Sequence, residues 1–320
     1  KGVVAQGKLD QLFSQPRFAT AGLPPDVKIR LLLLKAAAAS DLNNPGDALK
    51  LLDEARQLDP QNAGSWAVEV PIRVRAKQLT EARAAAAKAV ALDPKSTQAA
   101  YQQATVAHAS GELKGAVELY TRTLGLKPDH VDALVARAGL YIDLRRIAEA
   151  TADIQQARKL DPNDPRSTYL AALLAERSGD TAAVKKALNE VTALLDPLPI
   201  DFIRYRPQVL MLGGLSHFAL DQPEKAGPYL EMVLRQDPDS PVAKLLARIY
   251  LGSKRTDRAI EVLDRYLRSH PNDADATLLM ASAQMAQGRY ARAADLMQEA
   301  LKKGDDPSMR ALLGMSLVGA

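Results

Sequence analysis

The sequence predicts an all-α protein, a solenoid of antiparallel helix pairs, and three observations carry that expectation. Pro60, Pro94, Pro128 and Pro162 stand 34 residues apart, in the segments QLDPQN, ALDPKS, GLKPDH and KLDPND. A period near 34 is that of stacked helix-turn-helix units. Ala, Leu, Arg, Gln and Lys dominate, all good helix formers, and the Val-Thr-Ile alternation of strands is missing. When each unit is numbered so that the proline takes slot 32, slot 20 holds Ala48, Ala82, Ala116, Ala150, Val184, Ala226, Ala259 and Ala293, seven alanines in eight. A methyl is about the largest group that fits where the two helices of a unit cross.

On this register the full units begin at Ile29, Ala63, Thr97, Val131, Pro165, Pro207, Ser240 and Ala274. Slot 8 asks for a second small residue and finds Ala36, Ala104, Ala138, Ala172, Gly214, Ala247 and Ala281, with Val70 the exception. Slot 24 is bulky (Leu52, Tyr120, Ile154, Leu188, Leu230, Leu263, Met297) and fills the space between units. Gly111, Gly179 and Gly288 fall at slot 15, the turn inside each pair, where a left-handed backbone suits glycine. Each slot-32 proline is expected to close one second helix and open the next first helix, where a missing N–H is no loss. His130 and His270, beside these prolines, are expected to cap helix C-termini.

The pattern has two departures. Pro71 lies inside a first helix, which it should kink or shorten. Residues 199–206, PIDFIRYR, are eight more than the period allows, about two helical turns. They should lengthen the next first helix or project as a loop. Phe202, Arg204, Tyr205 and Arg206 make the densest aromatic-basic cluster of the chain, read either as structural filler or as a contact element. The domain plan is a partial unit over 1–28, five units over 29–198, the insertion 199–206, three units over 207–306 and the start of another over 307–320. Neither end carries a polar cap, so the expectation is a piece of a longer array.

Composition narrows the function. The chain has 42 basic and 38 acidic residues, interleaved, for a net charge of +4. No basic block or aromatic platform points to nucleic acid. Without cysteine there is neither a disulfide nor a thiolate metal site. No apolar run reaches the roughly 18 residues of a membrane span. The four histidines, His108, His130, His217 and His270, are spread along the chain without partners at ligand spacing, and no catalytic motif is present. No enzyme activity, metal or cofactor is expected.

The combined slots, seen together in GELKGAVELYTRTLGLKP and, up to its final proline, in GRYARAADLMQEA, resemble the tetratricopeptide repeat. The resemblance implies a right-handed superhelix of roughly 17 to 18 helices. It also implies that slots 2, 5, 9 and 12 to 13 of the first helices face a concave groove. Those slots hold Gln98, Tyr101 and His108, then Asp132 and Asp143, then Arg166, Tyr169, Glu176 and Arg177, and later Met211, Phe218, Lys244 and Arg248. Gln98, Tyr101, His108, Tyr169, Arg177, Lys244 and Arg248 are the candidate contacts for a protein segment or a polysaccharide. None occupies a small or bulky packing slot, so alanine at Tyr101, Tyr169, Arg177, Lys244 or Arg248 is expected to leave stability unchanged. The clamp by which co-chaperone repeats hold a C-terminal carboxylate needs Lys at slot 5 and Asn at slot 9. Lys244 meets the first demand, Arg248 replaces the Asn, and the clamp is absent.

Longer blocks, RAGLYIDLRRIAEATADIQQARKLDPNDPRSTYLAALLAERSGD, LSHFALDQPEKAGPYLEMVL, ARIYLGSKRTDRAIEVLDRYL and MRALLGMSLVG, resemble the repeat lipoproteins of exosortase/PEP-CTERM and exopolysaccharide loci. That family implies a periplasmic, outer-membrane-associated scaffold, lipid-anchored outside this segment, that supports polysaccharide assembly or export through protein partners. Two alternatives stay open: an intracellular adaptor that holds a peptide, and a regulatory solenoid attached to a catalytic domain elsewhere.

Overall fold

The structure, a computed structural model, describes residues 22–204, 206–302, 304 and 306–319, the side chains of Asp201 and Phe202 excepted. The helix expected in GKLDQLFSQ and the candidate contact Tyr205 lie outside the described residues. Among those described there are seventeen helices of 11 residues or more, one single-turn helix and no strand. The described residues form two compact units, one up to residue 187 and one from residue 188 on.

In the first unit the pairs are α1 (Pro25–Asp41) with α2 (Pro45–Leu58), α3 (Ala63–Arg75) with α4 (Leu79–Leu92), α5 (Thr97–Ala109) with α6 (Leu113–Leu126), and α7 (Val131–Asp143) with α8 (Ile147–Leu160). Then come α9 (Pro165–Arg177) and α10 (Thr181–Leu195), which runs across the division. The second unit continues with the single turn α11 (Ile200–Ile203), then α12 (Pro207–Ala219) with α13 (Pro223–Gln236) and α14 (Val242–Gly252) with α15 (Thr256–Ser269). It ends with α16 (Ala274–Ala286), α17 (Tyr290–Leu301) and α18 (Pro307–Gly319). The first helices α1, α3, α5, α7, α12, α14 and α16 each pack most closely on the second helix of their own pair, whereas α9 packs most closely on α8.

The crossing slots are closed to solvent: Ala48, Ala82, Ala116, Ala150, Ala226, Ala259 and Ala293 are fully buried. At Gly214 even a methyl would run into the side chain of Leu230. Leu52, Leu230, Leu263 and Met297 at slot 24 are equally inaccessible, and each such side chain contributes about 1.5–3 kcal/mol of apolar burial.

The turn inside every pair has one geometry. Slot 15 carries a positive φ in all eight units, at Gly111, Gly179 and Gly288 as expected, and also at Asn43, Lys77, Arg145, Asp221 and Lys254. The backbone closes each turn the same way: in the third unit Gly111 N–H donates to His108 O and Glu112 N–H to Ala107 O, two bonds that satisfy orphan carbonyls of the helix end.

The slot-32 prolines do not open helices. Asn62 N–H bonds Asp59 O, Ser96 N–H bonds Asp93 O and His130 N–H bonds Lys127 O, so each proline is the second residue of a four-residue turn, where its fixed φ is favoured. The next helix begins three residues later, capped by the side chain of Asn62, Ser96, His130 or Asp164. His130 therefore caps an N-terminus, Ala133 N–H donating to its Nδ1 at 3.3 Å, whereas His270 does follow a helix C-terminus.

Pro71 does not shorten α3, which runs 13 residues like α5 and α7. Pro228, inside α13, is accommodated too. The insertion neither lengthens α12, which also has 13 residues, nor stands away from the core. Its α11 buries Ile203 in the apolar cluster of the second unit, and Gln236 Nε2 donates to the Arg204 carbonyl.

Candidate partner-binding surface

The first helices lie side by side: α1 on α3, α3 on α5 and α7 on α9 in the first unit, α14 on α16 and α16 on α18 in the second. Their adjacent faces carry the side chains read as inward, and the structure sorts these into those that bind a neighbouring repeat and those that do not.

In the first unit most are engaged. The Tyr101 ring stacks on His130 of the next repeat at 4.9 Å and tilts against Tyr120 at 5.8 Å. Burial, with Asp132 adding to it, pushes its phenol above the usual range. His108 sits half-buried with its ring edge-on to Tyr120 at 6.3 Å. Burial lowers its pKa against the opposing pull of Asp143. Arg166 spans two carboxylates, Asp132 and Asp164, each at 2.7 Å. Burial works against its charge, but the paired acids outweigh it and hold the proton more firmly. Tyr169 is half-buried, its phenol raised by burial and by Glu176. Gln98 and Arg177 are exposed at the two ends of the row, and among the described residues no acid pairs with Arg177.

In the second unit Lys244 is held by Asp273 at 2.9 Å and Asp275 at 3.7 Å. The hydrogen bond to Asp273 raises its pKa. Arg248, one turn on, is exposed and unpaired among the described residues. Of the insertion candidates, Arg206 is exposed and Arg204 is half-buried with its carbonyl committed to Gln236.

Two polar clusters were not foreseen from the repeat register. His217 is fully buried, with Nε2 2.7 Å from Asp196 Oδ1 and Nδ1 2.8 Å from Gln222 Oε1. Lys225 takes the other Asp196 oxygen at 3.0 Å. Every polar atom of this ring is committed, so it clasps the end of α10 to α12 and α13 and leaves no nitrogen open for a substrate. The broken register between Asp196 and His217 hid it. The second cluster lies around Trp66, whose ring is covered by the Arg56 guanidinium at 3.8 Å, while Glu69 binds both Arg56 and Arg73. No group of metal-ligating residues occurs among the described residues, and no described helix is long and apolar enough to cross a membrane.

Comparison with known proteins now decides the family. A tetratricopeptide-repeat family model matches residues 107–176, 217–282 and 266–315, more than half of the chain, and a second such model matches residues 68–131. The chain belongs to the tetratricopeptide-repeat family. A curated relative is cellulose synthase operon protein C of Pseudomonas fluorescens (strain SBW25), 24% identical over 81% of this chain and 19% of that protein. Its namesake from Xanthomonas axonopodis pv. citri (strain 306) is 27% identical over 88% of this chain and 19% of its own. The cytochrome c-type biogenesis protein CycH of Rhizobium meliloti (strain 1021) is 29% identical over 51% of this chain and 35% of that protein. The chain spans about a fifth of the length of the first curated relatives it matches. Among solved structures, the APC/C hetero-tetramer Cut9–Hcn1 superposes with a TM-score of 0.63 at 20% identity, covering 88% of this chain and 55% of that one. That likeness is one of fold: paired helices stacked as tetratricopeptide repeats.

Proposed function

We propose that this chain is a non-catalytic scaffold of the bacterial cell envelope that supports exopolysaccharide assembly or export by holding a segment of a partner protein against its first helices. The adjacent first helices within each unit, with side chains still exposed at inward slots (Arg177 in the first unit, Phe218 and Arg248 in the second), carry the reading. A solenoid of this kind presents an extended surface of fixed spacing suited to a chain rather than to a small molecule. The likeness to two cellulose synthase operon proteins supports a polysaccharide setting. The resemblance of its sequence blocks to exosortase-linked lipoproteins supports a periplasmic, lipid-anchored location, and direct contact with the polymer belongs to the same proposal.

The test is made on the full-length protein in its own host. The gene should encode a signal peptide and a lipobox cysteine upstream of these repeats, and the tagged protein should fractionate with the outer membrane. Arg177→Glu and Arg248→Glu should lower polysaccharide secretion while protein levels hold. A cytosolic protein with undisturbed secretion would sink the proposal.

A further inference from the structure

The inward slots of the two units differ in chemistry. In the first unit they carry tyrosine, histidine and paired charges that are mostly spent on neighbouring repeats. In the second, slots 5, 9 and 12 of α12 hold Met211, Leu215 and Phe218, and slots 5 and 12 of α16 hold Leu278 and Met285. Phe218 remains 37% exposed and the other four are half-buried, Met211 at the edge of the α12–α16 core and Leu278 and Met285 at the edge of the α16–α18 core, each with part of its surface still open. Helix α14 contributes to the same core as α12, and α14 packs on α16. Helix α14 itself carries the exposed Arg248 at slot 9. Lys244, beside it, is neutralised by Asp273 and Asp275, but Arg248 has no acid among the described residues.

We propose that the first-helix face of α12, α14 and α16 receives an amphipathic helix of a partner protein, one that carries bulky apolar side chains with a carboxylate among them. The inference rests on the scaffold reading and names the kind of partner. Met211, Leu215 and Phe218 follow i, i+4, i+7 spacing, a ridge along the helix of the sort that interdigitates with another helix. Methionine side chains adapt their shape to the incoming surface. The cation fixes the charge. Docking an apolar surface over Arg248 would bury its guanidinium unpaired, at a cost no apolar contact offsets, so the partner must bring an acid to that point.

A display library of random peptides of about 16 residues, some four helical turns, selected against the purified chain, tests this without presuming the partner. Enriched peptides should be apolar-acidic at helical spacing. In fluorescence polarisation they should lose about tenfold or more in affinity against Arg248→Glu and against Phe218→Ala, a change of about 1.4 kcal/mol. Replacing the peptide's acid by lysine should restore binding to Arg248→Glu alone. Circular dichroism of each variant checks that its helices are intact. Peptides that bind both variants as well as the parent overturn the inference. If they instead lose affinity only against Tyr169→Ala/Arg177→Ala, the scaffold reading stands and this assignment falls. A selection that enriches nothing removes both.

Discussion

Lys244 Nζ lies 2.9 Å from Asp273 Oδ2, and the other oxygen of Asp273 accepts the Ala276 N–H that begins α16. The first helix of one repeat thus grips the N-cap of the next. Tyr266 shares the hold, its hydroxyl donating to Asp273 Oδ2 at 2.9 Å. Asp273→Ala removes a cap and strands two donors, and should cost about 2–3 kcal/mol. Lys244→Ala should cost about 1 kcal/mol or less. Urea unfolding measures both, and a neutral Asp273→Ala would show that the shared cap is not a support.

Tyr101 and Arg177 should part company. Both were read as groove side chains whose loss leaves stability unchanged. For Tyr101, stacked on His130 and against Tyr120, alanine should instead destabilise by about 2 kcal/mol, with Tyr101→Phe retaining most of that. Arg177→Ala, at an exposed site, should stay within about 0.5 kcal/mol of the parent. Thermal melts of the three variants give the comparison, and equal melts would refute it.

Acid should weaken the protein in two steps. Burial depresses the pKa of His108, against the pull of Asp143, and that of His130, against the pull of Asp132 and Asp129. The folded form therefore takes up those protons less readily than the unfolded chain. Stability is whole above the ordinary histidine pKa of about 6.5 and falls as the pH drops through and below it. The pKa of Asp273 is lowered too, from a different cause: burial opposes ionisation, but the Ala276 N–H, Lys244 and Tyr266 prevail and hold it below the usual carboxylate value. Its contribution is present above about pH 4 and is lost at lower pH. Protonation of His130 Nδ1 would also displace the Ala133 N–H it accepts. His130→Asn, a cap that does not titrate, should flatten part of the first step in urea midpoints measured between pH 7 and 5. An unchanged slope would rule the histidine out.

The slot-15 turns offer a stabilising change. Arg145 and Lys77 hold φ of 59° and 60°, a region that costs a side-chain-bearing residue about 1 kcal/mol. Arg145→Gly and Lys77→Gly should each raise stability by up to that amount, and Gly111→Ala, at φ 75°, should lower it comparably. Differential scanning calorimetry would show opposite shifts in Tm. Shifts of one sign would mean that turn geometry is not what the substitutions report.

The packing slots were legible because they follow from helix geometry alone. A crossing point admits only small residues, so Ala116 or Ala259 announces itself, and Ala116→Leu should cost about 1–3 kcal/mol through overpacking. Five left-handed turns escaped notice because Asn43, Lys77, Arg145, Asp221 and Lys254 tolerate a backbone that only glycine advertises. Slot arithmetic gave the direction of Tyr101 and Lys244 but not their occupation, since His130 and Asp273, 29 residues on, had not been recognised as caps. The proline at slot 32 was seen and its role misplaced by three residues, because a turn and a helix start both favour proline. His217 and Asp196 were out of reach, joined across a stretch where the period fails.

The bonds that tie one repeat to the next are short in sequence: Arg83 to Ser110 across 27 residues, Lys244 to Asp273 across 29, Arg75 to Ser40 across 35. Closing loops of that size costs little entropy, and local contacts make for rapid folding. Each hairpin meets its anchor as soon as the following cap has been synthesised. The chain is thereby built to acquire structure progressively from its first repeat onward, without waiting for its far end.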